Sequence, residues 1–213
     1  MSGMRTVVVD KIASVTQACG LSHEIRITAD IACEEGLVLV VEILNNKSLS
    51  TQQRQDDFES FLLGLTNMKR IADFTLGQYR RGASRAELAA FENGFQNYAV
   101  AVYQSYFAKY AGQTLRVTGS TANGPNDFVV NTVLVDPNDH SGQPPLEVGF
   151  RVLTDRGKPE VDDFSVAGIW ISEGERSEFT AYLGQHGGSI PALIAEIHKR
   201  ADFVRSGGAP TGQ

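Results

Sequence analysis

SRAELAAFENGFQNYAVAVYQSYFAKYAG, residues 84–112, decides the fold class. Ser84 followed three residues on by Glu87 is a capping box, in which each side chain satisfies a backbone N–H at the start of a helix. Leu88, Phe91, Phe95, Tyr98, Val102, Tyr106 and Tyr110 then recur at steps of three and four. Such spacing lays one apolar stripe along a helix of about 26 residues, roughly 40 Å long, that Gly112 ends.

Downstream the period changes from helical to two. Thr114–Thr118, Phe128–Val135, Leu146–Leu153 and Val161–Ile171 read as four strands joined by short, turn-rich links, the pattern of an antiparallel meander. Leu146, Val148, Phe150 and Val152 share one face of the third strand, and in the fourth, Gly168 reads as a bulge. Upstream, helices are expected from Asp30 to Asn45-Asn46, from an N-cap at Ser50 through Phe58, Phe61, Leu62 and Leu65, and on through Met68, Ile71, Ala72 and Leu76 to Gly77. Beyond the strands a helix runs from about Glu175 to Leu183, and another carries Ile190, Leu193, Ile194 and Ile197, with Pro191 tolerated in its first turn. Helices, a four-stranded sheet, then helices make an α+β protein. Residues 1–29 give no clean period, 30–202 form the domain, and 203–213 read as a flexible tail.

The chain of 213 residues has ordinary globular composition, 42% hydrophobic and 21% charged, with formal charge −6. It is long enough to bury a core, lacks the roughly 18 to 20 apolar residues of a membrane span, and has no basic block to grip nucleic-acid phosphates. The apolar stretch near Val7-Val8-Val9 is too short for a secretory signal. Cys19 and Cys33 form no CxxC motif and are expected as free thiols ahead of a single disulfide.

Catalytic and metal motifs are absent. His23, His140, His186 and His198 are scattered, and no HExxH, GxSxG or phosphate-binding loop occurs. Asp136-Pro137-Asn138-Asp139-His140 lacks the glycine and distal glutamate of a calcium hand and reads as a hairpin turn. Glu160, Asp162 and Asp163 cluster where a strand begins, but neighbouring residues of a strand face opposite ways. Gly187-Gly188-Ser189 could cradle a phosphate or simply cap a helix. No metal and no cofactor is expected. Phe91, Phe95, Tyr98, Tyr106 and Tyr110, with Tyr103 and Phe107 beside them, line a core or a ligand cavity, and periodicity alone favours the core.

One stretch, Ile71-Ala72-Asp73-Phe74-Thr75-Leu76-Gly77-Gln78-Tyr79-Arg80-Arg81-Gly82-Ala83-Ser84, resembles the signature of the periplasmic, MlaC-like toluene-tolerance auxiliary family of ABC-transporter phospholipid-binding proteins. Asn45–Ser50, Tyr110–Gln113, Ala167-Gly168-Ile169, Arg176–Phe179, Gly187-Gly188 and Ala192-Leu193-Ile194 resemble further family stretches in the same order. Arg80 stands where the family usually has an aromatic residue, and Ala167 where it has Glu. The resemblance implies a cone-like, mostly antiparallel sheet under several helices, with an apolar cavity between them that holds lipid tails. It also implies a periplasmic, non-enzymatic carrier of phospholipid or a hopanoid-type lipid, working with an inner-membrane ABC transporter bearing an MCE-domain subunit and with an outer-membrane acceptor or donor complex. The expected lining is Leu76, Tyr79, Tyr98, Val102 and Tyr106 from the helices, with Val117, Val130, Val148, Phe150, Phe164, Val166 and Ile169 from the sheet. The rival reading is a small cone-fold enzyme with Asp162, Asp163 or His140 as general base in an apolar pocket. A structural adaptor with a filled core is a third.

Overall fold

A computed structural model of the chain describes residues 46, 48–107, 112–154 and 159–210. The expected helix from Asp30, both cysteines and Tyr110 lie outside the described residues, as does the Asp155–Lys158 turn; of Tyr106 only the helical backbone is described.

Ser50 caps α1 (Thr51–Leu65) with a complete box: its hydroxyl accepts from Gln53 N at 3.2 Å, and Gln53 Oε1 accepts from Ser50 N at 2.9 Å. The stripe expected to run on to Gly77 is broken. Thr66 turns extended, and Asn67 starts α2 (Met68–Thr75) by accepting from Arg70 N. A 3₁₀ helix, Gly77–Gly82, follows, and then α3 (Arg85–Phe107), with the Ser84–Glu87 box formed as its spacing implies.

The sheet comprises β1 (Thr114–Gly124), β2 (Asp127–Val135), β3 (Glu147–Leu153), β4 (Glu160–Val166) and β5 (Ile169–Trp170), in that order across it. The β1–β2, β2–β3 and β3–β4 ladders are all antiparallel. Five strands therefore replace the four expected. Gly168 is not a bulge: Ala167 and Gly168 have φ of 50° and 80°, the paired positive values of a tight hairpin turn, so the fourth expected strand ends at Val166 and resumes for two residues. The bulges lie elsewhere, at Val117/Gly119, Ala122/Gly124 and Arg151/Val152.

Two helices complete the chain, α4 (Ile171–Gln185) and α5 (Ile190–Arg205). α4 begins four residues earlier than Glu175, because Ile171 opens the helix instead of closing a strand. α5 extends past residue 202, so Phe203–Arg205 are helical and not tail, and Gly208 N donates back to Phe203 O.

By contacts the chain forms two compact units. One holds the described residues 46 and 112–168, the other 48–107 and 169–210. In the helical unit α3 delivers the foreseen stripe: Phe91, Phe95 and Tyr98 are buried. Phe179 of α4 meets Phe91 and Phe95 edge-on, at ring separations of 6.0 and 6.3 Å. From α5, Leu193, Ile197, Ala201 and Val204 are buried at helical steps. α3 can approach α5 closely because residue 94 is glycine; a Cβ there would lie 3.0 Å from both Ile197 Cδ1 and His198 Nε2.

Candidate functional site

Residues directly opposite in an antiparallel ladder share a face. Val130 pairs with Phe150, Phe150 with Phe164, Val148 with Val166, and Val117 with Thr132, which itself opposes Val148. Six of the seven expected sheet residues, Val117, Val130, Val148, Phe150, Phe164 and Val166, thus stand on one face, joined by Phe128, Val152 and Val161. The uncertain parity of β2 is resolved by this register: Phe128, Val130 and Thr132 are its buried set. Thr132 is the polar member of that set, and its hydroxyl donates to Val148 O at 2.7 Å. Val130 is fully buried, whereas Val117, Val148, Phe150, Phe164 and Val166 are only half-buried. The seventh, Ile169, lies beyond the hairpin turn and is 69% exposed.

On the opposite face Val129 and Val133 stand among charged and polar residues. Arg151 forks onto Asp127, with Nε to Oδ1 at 3.0 Å and Nη2 to Oδ2 at 2.8 Å, and stands across from Asp163. Asp127 is the main cause that raises the Arg151 pKa, and Asp162 and Asp163 add to it. Asp163 also accepts from Phe164 N. The carboxylates that an enzyme would need are thus set around a guanidinium. His140 is exposed in its loop.

The helical candidates differ from one another. Leu76 is fully buried in the helical core, and Val102 is half-buried. Tyr79 packs its ring on the end of α4, close enough that a Cβ at Gly188 would meet Cε1 at 3.4 Å. Tyr98 is buried and its hydroxyl donates to Glu175 Oε1 at 3.2 Å. Glu175 was missed from sequence, since an isolated glutamate on an ordinary helix carries no signal. Burial above all, then the neighbouring Glu178 charge, pushes its carboxyl up to about 7 against the pull of Tyr98 and Arg200. Its Oε2 is buried without a hydrogen-bond partner.

The remaining motifs serve the backbone. Asp136 Oδ1 accepts from Asn138 N and Asp139 Oδ1 from Ser141 N, both at 2.8 Å, so the loop is the turn its sequence implies. These bonds lower both carboxyl pKa values. Gly188 N donates to Leu183 O at 2.7 Å, closing α4, and Ser189 Oγ accepts from Ala192 N, opening α5. The Gly187–Ser189 stretch is two caps. Among the described residues no group of three or more His, Cys, Asp or Glu side chains could hold a metal ion, and no helix is long and apolar enough to cross a membrane.

The antiparallel sheet of this α+β chain thus leaves one largely apolar face partly half-buried. Residues 38–199 match the family model described as MlaC protein, and the chain belongs to the MlaC family. Its fold is also similar to a solved structure of the phospholipid-binding protein from Ralstonia solanacearum in complex with a phospholipid. That match has a TM-score of 0.66 and 17% identity, and covers 84% of this chain and 97% of the other.

Proposed function

We propose that this protein binds phospholipid through its acyl tails and carries it across the periplasm. In this reading it exchanges lipid with an inner-membrane ABC transporter bearing an MCE-domain subunit and with an outer-membrane complex. The single observation behind the reading is the shared face of Val117, Val130, Val148, Phe150, Phe164 and Val166, five of them left half-buried. Family membership and the phospholipid held by the Ralstonia solanacearum protein support the same ligand class.

The physics requires a carrier. Exposing acyl chain to water costs about 0.8 kcal/mol per CH₂, so two chains of about 16 carbons cost on the order of 25 kcal/mol. A face of valine and phenylalanine side chains offsets that cost with no bond made or broken, leaving the headgroup to solvent. In the helical unit Leu76 and Tyr98 contribute chiefly by packing.

The test is organic-solvent extraction of natively purified protein, with the extract read by mass spectrometry. Stoichiometric phospholipid is the expected result, and hopanoid instead would change the cargo but keep the carrier. A folded protein that yields no lipid, and takes up none from vesicles, would sink the proposal.

A further inference from the structure

The chain has no contiguous basic block, yet the fold gathers cations around one corner of the helical unit. Residues 69–85 hold five of the 19 cationic residues and one of the 25 anionic ones. Asp73 Oδ2 is bracketed by Arg80 Nη2 at 3.0 Å and Lys69 Nζ at 3.7 Å, and Lys69 also pairs with Glu92. The acids are recessed and the bases reach outward: Asp73 is 18% exposed, against 62% for Lys69 and 48% for Arg80. Arg81 and Arg85 are exposed on the 3₁₀ helix and the first turn of α3. From α4, Arg176 places its guanidinium 4.7 Å from the centre of the Phe74 ring, which is itself exposed, and its Nε comes within 3.3 Å of a Cβ position at Gly77. Glu173, one turn ahead of Arg176, is the exposed acid of α4 there, and Glu87, half-buried in the first turn of α3 and accepting from Ser84 N, is a further acid of this surface.

We propose that this surface, made by α2, the 3₁₀ helix and the first turns of α3 and α4 around Phe74, docks the protein on an anionic phospholipid bilayer. Guanidinium groups fork onto phosphate oxygens, and a ring under one of them suits the boundary between headgroups and acyl chains. The chain as a whole carries −6, so an anionic bilayer repels it in other orientations, and a local excess of cations therefore orients it as well as attracting it. The choice of a bilayer over an acidic protein rests on the carrier reading, whose exchange partners are embedded in membranes, and on the exposed Phe74 ring, which suits the headgroup boundary.

The experiment is flotation of the full chain with vesicles of phosphatidylcholine alone, or of phosphatidylcholine with phosphatidylglycerol, at low and high salt. Binding is expected only with phosphatidylglycerol, weakening as salt screens the charges. R81E/R85E should lower vesicle affinity by well over ~30-fold, since losing each arginine costs about 1 kcal/mol and its reversal adds repulsion. Glutamate in the first turn of α3 suits the helix dipole, so the variant should fold, with circular dichroism as the check. Phe74→Ala should weaken binding while leaving its salt dependence in place. Should the double reversal not fold, R81Q/R85Q serves, with an expected loss of roughly 30-fold. Absence of wild-type binding to phosphatidylglycerol vesicles at low salt overturns the proposal, as does binding indifferent to both variants, or capture by an acidic protein through these residues without vesicle binding. Solvent extraction of the same preparation separates the two readings. Lipid-loaded protein that ignores vesicles leaves the carrier and removes the dock, and lipid-free protein that floats does the reverse.

Discussion

The two units use apolar side chains in opposite ways. In the helical unit Phe91, Phe179, Leu183, Leu193 and Ile197 are fully buried, and the aromatic rings meet edge-on. On the sheet, Phe150 and Phe164 oppose each other on a face where Val117, Val148 and Val166 are half-buried and Val130, Val152 and Val161 are closed. Full burial converts apolar area into stability. Half burial leaves part of that area exposed, at a standing cost that a bound apolar ligand would relieve. Substitutions in the first region should therefore act on folding, and those in the second on binding.

The largest effect is expected at Phe91→Ala. Removing a fully buried ring that touches both Phe95 and Phe179 should cost about 3–5 kcal/mol, much of the stability of an ordinary domain. Urea denaturation followed by circular dichroism measures it. A loss below about 1 kcal/mol would mean that the aromatic cluster is not the core of the helical unit.

Next comes the polar exception inside that core. The folded Glu175 carboxyl titrates at about 7, against 4.5 for an unperturbed group. The folded state thus binds more protons than the unfolded state between those values. Its contribution to stability is whole below the lower value and declines as pH rises through the upper one, by up to about 3 kcal/mol. Glu175→Gln keeps a neutral acceptor for the Tyr98 hydroxyl and removes the titration. The variant should match wild type near pH 4 and exceed it by a few kcal/mol near pH 8. Urea midpoints across that range decide the matter, and parallel profiles for the two proteins would show that Glu175 is solvated. Lipid content unchanged in Glu175→Gln is also expected, since no step of a carrier needs this acid.

A third effect, of about 1–3 kcal/mol, is expected at Gly94→Val, where two γ-methyl groups would enter the seam between α3 and α5 already closed by Ile197 and His198. Gly94→Ala should be milder, because better helix propensity offsets part of the cost of the two 3.0 Å contacts its methyl would make with Ile197 and His198. Equal stability of wild type and Gly94→Val would show that the seam has slack.

Long periodic signals were legible in the sequence. The α3 stripe, its capping box, the Ser50 and Ser189 caps and the antiparallel order of strands follow from spacing alone, because each rests on local chemistry that tertiary packing does not override. Boundaries set by one or two residues were not. The break at Thr66-Asn67 interrupts an apolar pattern that continues in phase on both sides, and Asn67 signals a cap only once Arg70 N is known to need one. The Ala167-Gly168 turn was hidden for a related reason: alanine is not a residue that advertises positive φ, so the segment reads as one strand with a glycine flaw. Of the sheet candidates, those on alternating strands could be assigned a face from sequence, whereas β2 needed its partners' register, since Val129, Val130, Val133 and Leu134 are apolar on both sides. The cationic corner drew on Arg176, about 100 residues away in the chain, and no local pattern could join it to Phe74.

The smallest effect on stability should accompany the largest on binding. Phe164 is half-buried, so Phe164→Ala removes area that the empty protein only partly hides and should cost about 1–2 kcal/mol, well under the Phe91 value. If the sheet face holds acyl chains, the same substitution removes contacts with several CH₂ groups, each worth about 0.8 kcal/mol when buried. Retained lipid should then fall at least tenfold, roughly the effect of losing two such groups. Phe164→Leu, which keeps an apolar surface, should restore most of it. Mass spectrometry of extracts and urea midpoints, taken on the same preparations, separate the two quantities. Loss of lipid in step with loss of folding, or a Phe164→Ala protein that retains its full complement, would erase the division between a packed unit and an open face. A folded, lipid-poor variant would establish that the half-buried side chains are left open because their missing neighbours are the tails of the cargo.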